Sequence, residues 1–191
     1  TWSMRVLVIN GSPRKKGHVA TMLHSVADHI EGADIHWFDV NDLRVHPCTG
    51  CMRCRETRRC VLPEDDGHKI ADEVKECDAM ILGTPVYWGN MSGQMKLVFD
   101  RIVPSMMDEP KNGFPIALHK GKKAVIVTAC TTIWPFSYIC RETTNALHAM
   151  KEILGYSGFK TVGKLVLSGT RKKTSVPARL LNKGKRLACK F

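Results

Sequence analysis

Four cysteines, Cys48, Cys51, Cys54 and Cys60, fall within thirteen residues in the run CTGCMRCRETRRC. The spacing C-x2-C-x2-C-x5-C lets short loops bring successive thiolates to one centre, a style of ligation typical of iron–sulfur clusters. Structural zinc more often takes two CxxC pairs separated by a long finger, and the chain has no second pair. Electron transfer is therefore the first chemistry suggested, with zinc, or thiols packed without any metal, as the alternatives. Arg53, Arg55, Arg58 and Arg59 suit a cluster, because cations offset a negative thiolate–iron core. They suit a solvated basic loop equally well. Cys77 and Cys130 border apolar strand-like runs and read as core or near-core, and Cys140 and Cys189 as packing residues. The eight histidines show no HxxxH or HExxH spacing, which disfavours a metallohydrolase.

Three other segments carry chemistry. Gly11-Ser12-Pro13-Arg14-Lys15-Lys16-Gly17-His18-Val19-Ala20-Thr21 is neither GxGxxG nor GxxxxGK[ST], so the dinucleotide fingerprint and the triphosphate P-loop both fail. A long, polar, glycine-bounded loop entering a helix still suits a terminal phosphate. Free amides at the helix start, the Ser12 hydroxyl and the cations Arg14, Lys15 and Lys16 all favour an anion. A solvated turn with incidental lysines is the alternative. In Thr84-Pro85-Val86-Tyr87-Trp88-Gly89-Asn90, adjacent aromatic residues are costly to expose unless they cover something flat or fold back on the core. Thr128-Ala129-Cys130-Thr131-Thr132 leads into a second aromatic stretch containing Trp134, Phe136 and Tyr138. An anion cradle, an aromatic wall and a hydroxyl-rich strip together suit a phosphorylated planar ring. Asp100-Arg101 reads as an intramolecular or subunit ion pair rather than a catalytic pair.

These segments need a frame. Met4–Asn10, Ala79–Gly83 and Lys123–Ala129 are short, nearly unbroken apolar runs, the mark of strands buried on both faces of a parallel sheet. Residues 35–40 and 164–167 read as two further strands. Between them, apolar spacing predicts helices over 18–30, 68–75, 93–103 and 142–154, with a last basic helix over 177–188. This alternation predicts one doubly wound α/β domain over residues 1–191, with its ligand site at the carboxyl ends of the strands. The cysteine loop follows the second strand.

At 191 residues, with 43% hydrophobic and 25% charged residues, the chain can bury a substantial core. No apolar run approaches a membrane span. The first residues lack a basic n-region and a cleavage site, so a cytoplasmic protein with reduced thiols is expected rather than a disulfide scaffold. Met4 is expected to be the native start, with residues 1–3 an expression remnant. The net charge of +11 is uneven: after Glu152 there are ten Lys and Arg and no acid, while the remaining nineteen face eighteen acids. The basic segment 170–191 has neither interleaved aromatics nor a reader motif, so a nucleic-acid module is disfavoured against a solvated basic helix or one contacting an acidic protein.

GSPRKKGHVATML, then CTGCMRCRETRRC followed by Asp65-Asp66, then GTPVYWGNMSGQMKLVFDR occur in that order over roughly residues 4–130. Together they resemble the flavodoxin-like NAD(P)H-dependent FMN reductases, and most closely the iron–sulfur flavoprotein branch. The resemblance implies a five-stranded sheet of order 2-1-3-4-5 binding FMN at its switch point. It implies that Ser12, Arg14, Gly17, His18, Val19 and Ala20 hold the phosphate. Pro85, Val86, Tyr87, Trp88, Gly89 and Asn90 would flank the isoalloxazine, and Thr128, Ala129, Cys130 and Thr131 would line its other side. Cys48, Cys51, Cys54 and Cys60 would ligate a [4Fe–4S] cluster, although similar loops occur in flavin reductases without one. Relatives usually have Gly-Asn-Thr where this chain has Gly17-His18-Val19, which implies adjusted phosphate binding in which a protonated His18 compensates. The implied activity is hydride transfer from NAD(P)H to FMN, then reduction of a quinone, nitro compound, flavin or redox protein. No acid–base side chain is assigned to it. Tyr87, Trp88, Trp134 and Phe136 would shape the acceptor pocket, and a homodimer or homotetramer is expected. A ferredoxin-loaded electron carrier without nicotinamide use is the rival.

Overall fold

The computed structural model describes residues 3–111 and 113–191; Thr1 and Trp2 of the expected N-terminal remnant lie outside the described residues. The elements run β1 (Met4–Asn10), α1 (His18–Ala27), β2 (Ala33–Asp39), α2 (Cys54–Thr57), α3 (Asp66–Glu76), β3 (Ala79–Pro85), α4 (Gly93–Arg101) and α5 (Val103–Met106). They continue with β4 (Met107–Asp108), β5 (Ile116–Ala117), β6 (Lys123–Ala129), α6 (Phe136–Ile139), α7 (Glu142–Ser157), β7 (Lys160–Leu167) and α8 (Ala178–Ala188). The main sheet is parallel with order β2-β1-β3-β6-β7. Counting its five strands alone, this is the expected flavodoxin-like order 2-1-3-4-5. β4 and β5 form a separate antiparallel ribbon that the sequence did not announce, because two-residue strands leave no periodicity.

The three central strands are apolar throughout because both sheet faces are covered, and alternation sorts their side chains. Leu7, Ile9, Met80, Leu82 and Ile126 meet α3, α4 and α7 through Ile70, Val98, Met150 and Leu154. Val6, Val8, Ile81, Val125 and Val127 face the other way, onto Met22, Leu23 and Val26 of α1 and Leu180 and Leu187 of α8. Among the described residues no helix is long and apolar enough to cross a membrane.

Helix ends are set by local chemistry. Asp65 and His68 form a reciprocal capping box at the start of α3. Ser92 caps α4 by accepting from the Met95 amide at 3.3 Å. The helix expected over 93–103 breaks after Arg101, and α5 begins with Pro104 in its first turn, where a missing N–H costs nothing.

Gly184 lets α8 lie directly on α1. A Cβ there would fall 1.9 Å from Ser25 Oγ and 2.8 Å from Ser25 Cβ. Gly184→Ala should therefore cost about 1–3 kcal/mol by overpacking, read as a lowered urea midpoint. Gly155→Ala, on the exposed side of α7 with open space around it, should be neutral or stabilising by up to about 1 kcal/mol.

Candidate functional site

The order of the sheet reverses between β1 and β3, so their following loops diverge to opposite faces and leave a crevice at the carboxyl edge. A web of short hydrogen bonds fixes the loops around it. The Gly11 amide donates to Gly83 O at 2.7 Å, and Ser92 Oγ donates to Gly11 O at 2.7 Å. The Ser92 amide donates to Thr84 Oγ1 at 2.9 Å, and Thr128 Oγ1 donates to Thr84 O at 2.9 Å. Beyond them, the Cys130 amide donates to Leu167 O at 2.8 Å.

The first loop is drawn tight by side chains. Buried Asn10 accepts from the Ser12 amide at 3.1 Å and donates to Asp39 at 2.8 Å. Ser12 Oγ accepts from the Arg14 amide at 3.2 Å, which leaves the hydroxyl proton free to donate. α1 then starts at Gly17 with no capping side chain, so its first amides are open to an anion. His18 Nε2 is buried without a hydrogen-bond partner. Orphaned donors at an uncapped helix start fit a phosphate group. Val19 and Ala20 point into the core and offer only their backbone. Lys15 is committed to Asp42, whereas the Arg14 and Lys16 side chains, with Lys173 and Thr174, line an open cleft of about 550 Å³.

The second loop is a tight hairpin turn in which Tyr87 and Asn90 exchange backbone bonds of 2.9 and 3.0 Å. Trp88 and Gly89 both sit at positive φ, +52° and +67°, as in the primed turns that match strand twist. For a bulky aromatic residue this conformation is strained. Trp88 is fully exposed and Tyr87 nearly half so; neither folds back on the core. Pro85 and Val86 are partly covered, with the Val86 amide bonded to Ala129 O at 2.8 Å.

The third strip is braced more than open. The Thr128 hydroxyl is consumed by Thr84, and Ala129 and Cys130 are buried. Cys130 Sγ donates to Glu142 at 2.9 Å. Burial, then that contact, pushes the thiol pKa up. Of residues 128–131 only Thr131 is exposed. Beyond it Ile133, Trp134, Phe136, Tyr138 and Ile139 form a strongly exposed apolar rim.

The cysteine loop has one fixed end. Arg101, the last residue of α4, is buried; its Nε donates to Cys60 Sγ at 3.3 Å. Its two terminal nitrogens donate to Asp65 at 2.8 and 3.1 Å, and it also reaches His46 O. Asp65 is pushed up by burial, but bonds from Arg101 and His46 outweigh that and hold it far below the usual carboxylate range. The expected Asp100-Arg101 ion pair does not form: Asp100 takes Lys96 at 2.6 Å and Arg101 takes Asp65. Neighbours in a helix point about 100° apart, so adjacency did not disclose the partners. Arg55, Arg58 and Arg59 pair with Glu109, Asp108, and Glu64 and Asp72. Among the described residues the cation bonded to a cysteine sulfur is Arg101, distant from the loop in sequence and so not marked by its spacing.

At the other end Cys48 and Cys51 are exposed, on a turn with Gly50 and Met52 at positive φ. The Cys54 thiol is pushed up by burial and then by the charges of Cys60, Cys48 and Cys51. The four sulfurs are not drawn together as ligands: among the described residues no three His, Cys, Asp or Glu side chains are grouped to hold a metal ion.

The Asp65–Arg101 pair generates a stability prediction. Asp65→Asn leaves a buried guanidinium without its carboxylate and should cost about 3–5 kcal/mol at pH 7, read by denaturant midpoint. The depressed folded-state pKa stabilises the native protein above about pH 4, and that contribution fades as Asp65 protonates on further acidification. The gap between variant and parent should therefore narrow below pH 4.

A family model described as NADPH-dependent FMN reductase matches residues 4–173, past residue 130 where the sequence motifs thin out. An iron-sulfur flavoprotein of Methanocaldococcus jannaschii is 37% identical over 103 residues, 53% of this chain and 53% of that protein. The matched stretch thus spans about half the length of that curated relative. A crystal structure from Streptococcus mutans superposes with a TM-score of 0.76 at 19% identity, covering 98% of this chain and 100% of that one. An NAD(P)H:quinone oxidoreductase from Methanothermobacter marburgensis gives 0.71 at 18% identity, covering 98% and 95%. The structural likenesses establish the flavodoxin-like fold. The family match, extending over most of the sequence, goes further: this chain belongs to the NADPH-dependent FMN reductase family.

Proposed function

We propose that the protein is an FMN-dependent oxidoreductase that takes hydride from NAD(P)H and passes electrons to a quinone, nitro compound, flavin or redox protein. The observation that carries this reading is the meeting, at one sheet edge, of an uncapped helix start with free donors and a strained hairpin holding an exposed Trp88. The first suits a phosphate and the second a planar ring. FMN supplies the hydride chemistry when bound; the protein positions and tunes it.

The chain's own residues have distinct tasks in this reading. The Ser12 hydroxyl, the Arg14 guanidinium and the first amides of α1 hold the phosphate. Residues 85–90 and the exposed Thr131 border the ring, while Thr128 and Cys130 brace the strand end beneath it. The exposed apolar rim at 133–139 suits coverage by a second subunit, in a homodimer or homotetramer. Cys48, Cys51, Cys54 and Cys60 are the candidate ligands of a [4Fe–4S] cluster. The name of the Methanocaldococcus relative and the C-x2-C-x2-C-x5-C spacing support that assignment. Ligation would require the exposed end of the loop to draw in. The exposure of Cys48 and Cys51 also favours a second reading, electron exchange with a ferredoxin-like partner instead of a nicotinamide.

Ser12→Ala should raise the FMN Kd about tenfold or more in a fluorescence titration; an unchanged Kd removes the phosphate assignment. Stopped-flow reduction by NADH, NADPH and reduced ferredoxin separates the two readings of the electron source. Anaerobic reconstitution with iron and sulfide should load about four irons per chain. Failure to load them would discard the cluster and leave the flavin reading standing.

A further inference from the structure

The cleft beside the phosphate loop has two walls from opposite ends of the chain. Arg14, Lys16 and His18 line one, and Lys173, Thr174 and Ser175 the other. No acidic residue lines the cleft. Among the described residues the Arg14 and Lys16 side chains make no hydrogen bond or ion pair, and the hydroxyls of Thr174 and Ser175 are equally unengaged. Lys173 Nζ donates to Ser168 O at 3.0 Å and Gly169 O at 3.4 Å, which orients the ammonium but leaves its charge unneutralised. Uncompensated cations, free hydroxyls, a buried imidazole nitrogen without a partner and open helix amides form a donor set for a phosphomonoester dianion.

The second wall is held by the fold. The Gly169 amide donates to Thr132 O at 2.8 Å and the Thr170 amide to Cys130 O at 3.1 Å, tying the segment to the end of β6. Gly169 sits at φ +71°, the left-handed conformation that starts the turn toward the cleft. Val176 is buried in the core that α8 shares with α1. In the first turn of α1, Val19 and Ala20 are apolar and buried, and Thr21, which also lines the cleft, donates its hydroxyl to Gly17 O at 2.9 Å, so Thr174 and Ser175 are the side chains placed to add free hydroxyls.

We propose that Lys173, Thr174 and Ser175 complete the phosphate site, so that the basic C-terminal segment holds the terminal phosphate of FMN from the side opposite the loop. This rests on the FMN reading above and adds residues to it. The test uses the full chain stripped of flavin, titrated with FMN and with riboflavin, which lacks the phosphate. Lys173→Gln keeps a donor for the two carbonyls and removes the charge. It should raise the FMN Kd about tenfold, leave riboflavin unchanged and flatten the salt dependence of FMN binding. The double variant Thr174→Ala, Ser175→Ala should act in the same direction, Lys173→Arg should recover most of the affinity, and Lys172→Ala should change nothing. Equal weakening of FMN and riboflavin, or no change in either, overturns the proposal. A rise in KM for NADPH but not NADH, with FMN affinity intact, also overturns it by placing the coenzyme phosphate in the cleft. If the parent protein binds neither flavin, the FMN reading itself falls.

Discussion

Three chain segments meet at Gly11, and the rest of the site depends on how closely they do so. Its amide reaches Gly83 O at 2.7 Å while its carbonyl accepts from Ser92 Oγ at 2.7 Å. A Cβ on Gly11 would fall 2.8 Å from Met95 Sδ and 3.1 Å from Gly83 O, so any larger residue would have to displace Met95 and press on the β3 carbonyl. Through it the phosphate loop, the end of β3 and the start of α4 become one rigid corner. Thr84 extends the corner to β6 through Thr128, and β6 extends it to β7 through Cys130. The loops that could touch a ligand are thus anchored to one another before any ligand arrives, which lowers the ordering cost of binding.

Electrostatics are divided in the same way. The neutral body uses its charges in pairs: Arg55, Arg58 and Arg59 stitch the cysteine loop to the β4–β5 ribbon and to α3, and Lys15 is taken by Asp42. The excess of cations lies where no carboxylate answers it, in Arg14 and Lys16 and along the acid-free stretch after Glu152. Packing of α8 on α1 brings these two reserves of positive charge face to face.

Much of this was legible in the sequence, for reasons tied to burial. Strands covered on both faces must be apolar along their length, so β1, β3 and β6 stood out. α1 showed its apolar stripe, and the loop at 84–90 drew notice through its adjacent aromatic residues, although the sequence left open whether they fold back on the core. What stayed hidden depends on tertiary contacts. The buried pairing of Arg101 with Asp65 arises only when α4 and α3 are docked. The Thr128 hydroxyl looked available until the neighbouring strand placed Thr84 O beneath it. Lys173 joins the phosphate loop only through long-range contacts, the bonds of residues 169 and 170 to the end of β6 and the packing of α8, and nothing local to residues 170–176 signals that.

α4 carries one further consequence. Its first turn is capped by Ser92, which grips the phosphate loop, and its last residue, Arg101, grips Cys60. The two residues are nine positions apart along one helix, a rod about 14 Å long. The helix therefore works as a ruler between the phosphate loop and the fixed end of the cysteine loop. Because each residue adds a set rise and a set rotation, losing or gaining even one would swing Arg101 off Cys60 as well as change the span. The separation of the two neighbourhoods is thus recorded in a residue count, independent of what either of them binds.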